Sequence, residues 1–91
     1  MATLIKTNGE NLEISPLNGT DFQLEELQDY VGGYIEIVNF RNGQIMVVNE
    51  DGKGSEDPND QATELALEHQ AILGWDFIAG SVVLCNEEEV K

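Results

Sequence analysis

Residues 34–39 (Tyr-Ile-Glu-Ile-Val-Asn) and 44–49 (Gln-Ile-Met-Val-Val-Asn) are rich in β-branched side chains, and only a short turn containing Arg41-Asn42-Gly43 separates them. Asn-Gly supplies the positive φ angles of a tight connection, and so short a link joins only antiparallel strands. The centre of the chain is therefore a β-hairpin. A lone hairpin is marginal in water, so the rest of the chain must add strands to it or cover it with helices.

Both kinds of element are legible. Residues 2–6 favour a strand and lead into Asn8-Gly9. Residues 11–15 alternate polar and apolar, and Pro16 stops them. A first helix follows, with Phe22 and Leu27 placed as a hydrophobic staple. Glu26 closes a capping box on Gln23, with Thr20 and Asp21 as alternative caps. Leu24, Leu27, Tyr30 and Val31 form its apolar stripe, and Gly32-Gly33 stops it. After a polar loop over residues 50–57, Asp57-Pro58 reads as an N-cap with Pro at the first helical position. The second helix should run to about Gln70, with Ala62, Leu65, Ala66 and His69 inward. Residues 75–79 and 81–85 are two short apolar strands hinged at Gly80. The expected order is β-β-α-β-β-α-β-β: an α+β fold with an antiparallel sheet of about four to six strands and two helices packed on one face. Residues 1–86 form the single domain, and 87–91 a frayed acidic tail.

Composition narrows the function classes. Eighteen carboxylates against four Lys and Arg give a net charge of −14, yet Leu, Ile, Val and Phe supply 26 of 91 residues, enough to fold. Such a charge opposes direct binding to nucleic acid or anionic lipid. No apolar run approaches the ~20 residues of a membrane span, and no signal peptide precedes the first strand. With Cys85 the only cysteine, disulfide scaffolds and multi-cysteine zinc sites are excluded, and a reducing cytoplasm is the expected location.

The segments Val31-Gly32-Gly33-Tyr34-Ile35-Glu36 and Val47-Val48-Asn49-Glu50-Asp51-Gly52-Lys53 are followed by Asn59-x-x-Ala62-Thr63 and Asp76-x-Ile78-x-Gly80. In this order and spacing, over about residues 20–85, the chain resembles the family called domain of unknown function 3846. The resemblance implies a small protein of bacteriophages, plasmids and integrative elements, and carries no assigned activity. The chain departs from the family pattern at Gly54-Ser55-Glu56-Asp57-Pro58, which is acidic where members carry a more apolar and basic loop.

Catalytic and metal motifs fail on spacing. Gly52-Lys53-Gly54-Ser55 lacks the glycine and the Lys-Ser adjacency of a phosphate loop. A calcium loop starting at Asp51 would place Lys53 among its ligands. His69 and Cys85 are too few for zinc, and Cys85 in an apolar run reads as core. No enzyme, metal site or cofactor is expected.

Two functional expectations remain. The first rests on Glu50, Asp51, Glu56, Asp57, Asp60, Glu64 and Glu68, seven carboxylates in nineteen residues opposed only by Lys53. Asp57, Asp60, Glu64 and Glu68 follow helical spacing and would form a carboxylate row like a nucleic-acid backbone. That predicts a non-enzymatic inhibitor or adaptor docking on a host protein whose basic cleft handles nucleic acid, and the resemblance implies that it comes from a mobile element. The plain alternative for the same charge is solubility. The second expectation is a small-molecule module, such as a nucleotide sponge, with a pocket between hairpin and second helix. Its contacts would be Tyr34, Arg41, Asn49, Lys53, Asn59 and Thr63, with Trp75 as a further aromatic wall. The same Asn and Thr side chains also suit turns and caps. An uncovered sheet edge would favour a homodimer.

Overall fold

The computed structural model describes residues 2–90. Strands β1 (Ala2–Ile5) and β2 (Asn11–Ile14) form the first hairpin, and helix α1 (Leu24–Val31) follows. Strands β3 (Ile35–Asn39) and β4 (Gln44–Asn49) form the central hairpin. A four-residue helical turn α2 (Gly52–Ser55), helix α3 (Asp60–Glu68), strand β5 (Val82–Asn86) and a 3-10 turn (Glu87–Glu89) complete the chain. The fold is α+β with one five-stranded antiparallel sheet in the order β2-β1-β5-β4-β3, as the sequence pattern predicts. No helix is long and apolar enough to cross a membrane among the described residues.

Strand β5 joins the two hairpins, pairing Leu4 with Val83 on one side and Val47 with Val83 on the other. Its composition explains the central place: Val82, Val83 and Cys85 are buried on alternating faces, as suits a strand covered on both sides.

The expectation that both helices pack on one face is corrected. Phe22, Leu27 and Val31 from α1 and its approach pack with Ala2, Leu4, Ile45, Val47, Val83 and Cys85 on one face. Ala62 and Ala66 of α3 pack with Ile5, Met46, Val48 and Val82 on the other, joined by Phe40 and Ile78. The reason lies in β4, where Ile45, Met46, Val47 and Val48 are consecutively apolar. A strand turns successive side chains to opposite faces, so both faces need a helix.

Other boundaries move for local reasons. Helix α1 begins as expected: Gln23 is its N-cap, and its N–H donates to Glu26 Oε1 at 3.0 Å. Gly32 ends it in the left-handed region, at φ 84. Leu24, expected in the apolar stripe, is exposed. Helix α3 is capped by Asn59, not Asp57, because Pro58 is held in extended backbone by a bridge to Ala79. It ends at Glu68 with His69 as its cap. His69 is exposed rather than inward. Its Nδ1 lies 3.0 Å from the Leu65 carbonyl, and its ring stacks on Phe40 with 4.7 Å between centroids. Residues 75–79 form no strand beyond that Ala79 bridge. The loop expected over residues 50–57 instead contains α2, and Gly52 is needed there because a Cβ would stand 2.7 Å from the Ala79 carbonyl oxygen.

The frayed tail is also corrected through residue 90, with Lys91 outside the described residues. Asn86 caps the 3-10 turn, Phe22 N–H donates to the Glu89 carbonyl, and Val90 packs against the α1-side core. The packed unit therefore extends past the expected boundary at residue 86.

Candidate functional site: a carboxylate face and a groove along the sheet edge

All seven predicted carboxylates, Glu50, Asp51, Glu56, Asp57, Asp60, Glu64 and Glu68, are exposed. Ala62 and Ala66 face the sheet, so Asp60, Glu64 and Glu68 share the outer side of α3, spaced about 6 Å apart along its axis. Asp57 lies two residues before the Asn59 cap, outside the helix, and does not continue that helical row. Glu50 and Asp51 stand at the end of β4, with Asp51 as N-cap of α2. The Glu56 side chain lies over Gly80. Among the described residues the ion pairs are Lys6–Glu10 and Lys53–Asp76, and neither uses any of the seven.

The proposed ligand contacts separate into two groups. Asn59 is buried and fully engaged: its amide donates to the carbonyls of Ile5 and Gly80 at 3.0 and 2.9 Å, and its Oδ1 accepts from the Ala62 N–H at 3.1 Å. Thr63 is engaged beside it, donating to the Asn59 carbonyl at 2.8 Å and accepting from the Ile78 N–H at 2.9 Å. These two residues tie α3 to β1 and to the segment before β5. Neither lines the groove described below.

Arg41, Asn49 and Lys53 do meet, around a cavity of about 600 Å³ between the β3–β4 hairpin and residues 70–79. Asn49 is buried, donates to the Val31 carbonyl at 3.1 Å and accepts from the Asp51 N–H at 2.8 Å, so its amide serves the fold first. The Lys53 ammonium is hydrogen-bonded to Asp76 and lies 5.2 Å from the centre of the Phe77 ring. That ammonium, with the Phe77 N–H, holds the Asp76 carboxyl below its ordinary range. Arg41 sits in the hairpin turn at φ 63, exposed. Tyr34 borders a second, polar hollow with Asn49, Asp51 and Ser55, while Trp75 is exposed and lines neither.

The pairing at the groove carries no sequence signal. Lys53 and Asp76 are 23 positions apart, and nothing local links them. Leu73 and Phe77 are exposed apolar side chains lining the groove; with Trp75 they bunch around Gly74, which was the one available hint.

Cys85 is buried in the α1-side core, where desolvation, then the Glu89 charge, pushes its thiol up to about 11. A thiol in that state is a packing residue, not a nucleophile. Among the described residues no three His, Cys, Asp or Glu side chains gather as a metal site.

No curated protein and no solved structure matches the chain. A family match spans residues 1–91. The likeness seen in the Val31–Glu36, Val47–Lys53, Asn59–Thr63 and Asp76–Gly80 segments thus extends to the whole chain, which belongs to the family described as Domain of unknown function (DUF3846).

Proposed function

We propose that this chain is a non-catalytic interaction protein of a mobile genetic element, presenting a DNA-like carboxylate surface to a basic, nucleic-acid-handling host protein. The observation that carries the reading is the exposure of all seven carboxylates from Glu50 to Glu68 with no cation paired to any of them among the described residues. Like charges gathered this way repel one another and weaken the fold. A basic cleft relieves that repulsion, speeds association by long-range attraction and makes binding salt-dependent. The small-molecule reading draws less support, because Asn49, Asn59 and Thr63 spend their polar groups inside the protein and Lys53 is paired at the surface with Asp76.

The test uses the purified chain as bait for bacterial lysate, with elution in a salt gradient. A nucleic-acid-binding protein should be captured and should release at moderate salt. The variant Asp57→Asn, Asp60→Asn, Glu64→Gln, Glu68→Gln should keep its fold and lose that capture. Undiminished capture by the folded variant overturns the reading.

A further inference from the structure

Strand β3 is an edge of the sheet, paired only with β4. The Glu50 N–H donates to the Tyr34 carbonyl, and the Phe40 N–H to the Gln44 carbonyl. Antiparallel hydrogen bonding alternates, so Glu36 and Val38 also turn their backbone groups toward β4. Ile35, Ile37 and Asn39 turn theirs outward. The groove is bordered by four consecutive residues, Glu36, Ile37, Val38 and Asn39. Their side chains alternate between the two faces, so a groove touching all four reaches the open edge itself.

Its opposite wall offers apolar surface, with Leu73 60% and Phe77 38% exposed. The charges in the lining are Glu36, Glu50 and Asp76 against Arg41 and Lys53. Lys53 is taken by Asp76, which leaves Glu36 and Glu50 against Arg41, none of the three in an ion pair among the described residues, and so an excess of one negative charge. A second copy of the chain would bring −14 against −14 and set another Glu36 beside this edge. A basic segment meets attraction instead.

The geometry points to an extended segment of a partner protein, with both apolar and basic residues along the row formed by every second position, adding as a strand to β3 with that row of side chains in the groove. Main-chain bonds to Ile35, Ile37 and Asn39 supply affinity; Leu73 and Phe77, with Glu36 and Glu50, supply selectivity. This goes beyond the carboxylate-face reading and shares only Glu50 with it.

Amide exchange of the full ¹⁵N-labelled chain tests it, using a pool of peptides of about seven residues. At every second position the peptides carry Lys, Arg, Val, Ile, Phe or Tyr, basic and apolar residues mixed along that row, with Ser or Thr between. A second pool carries the same side chains with alternate backbone nitrogens methylated. The first pool should slow exchange at Ile35, Ile37 and Asn39 roughly tenfold or more, and the methylated pool should not. Ile37→Pro removes an outward N–H while sparing the β3–β4 bonds, and should abolish the slowing. Should that variant fail to fold, Phe77→Ser should weaken the response instead. The four-carboxylate variant should respond like the parent, which separates this test from the preceding one. Equal responses to both pools, protection at Asp60, Glu64 and Glu68 instead of β3, or no response overturns the proposal. Slowing at the same amides on raising protein concentration without peptide assigns the edge to a second copy, and also overturns it.

Discussion

At the scale of single residues, Asn59 joins three parts of the chain through one buried amide. Its partners are the carbonyls of Ile5 and Gly80 and the N–H of Ala62. Replacing it by Ala removes the helix cap and strands two buried carbonyls. Asn59→Ala is expected to lower stability by about 2–4 kcal/mol, measured by urea unfolding. A loss within about 0.5 kcal/mol would mean that water replaces the amide. In the sequence Asn59 suits a cap or turn first and a ligand contact second. The chemistry of an amide is the same in both roles, and only the position of Ile5, 54 residues away, shows where its donors go. Lys53 had the same ambiguity, and Asp76 resolves it.

At the scale of elements, α3 carries its charge at some cost to itself. Asp60 suits the positive end of the helix dipole, whereas Glu68 stands at the negative end and four residues from Glu64. Glu68→Lys turns a repulsive pair into an attractive one and places a cation at the C-terminus. It should stabilise the protein by about 0.5–1 kcal/mol at low salt in denaturant unfolding, with the gain shrinking as salt is added. The same substitution should weaken capture of a basic partner. Elements with local signals were legible: both hairpins, the Gln23–Glu26 start of α1, and its glycine stop. Helix α2 and the irregular path of residues 75–79 were not. There the backbone follows close approach of Gly52 to Ala79 and the bridge from Pro58, contacts between segments far apart in sequence.

At the scale of the whole molecule, the net charge of −14 is opposed by few cations. Raising NaCl from about 0.02 to about 0.5 M shortens the screening length from roughly 20 to roughly 4 Å. Tm should rise by about 5 °C over that range as repulsion is screened, while affinity for a basic partner falls. A flat Tm in a salt series would mean that the carboxylates stand too far apart to strain the fold.

The sequence by itself determined the α+β class, the antiparallel hairpins and the acidity of residues 50–68, because β-branched runs, turn residues and charges act through near neighbours. Tertiary structure alone decided that β5 enters between β1 and β4 and that α1 and α3 cover opposite faces. It also decided that the edge of β3 opens onto a groove walled by residues 70–79. Apolar side chains bury against whatever apolar surface is available, without direction. Which surfaces meet is fixed only when the whole sheet must be covered at once.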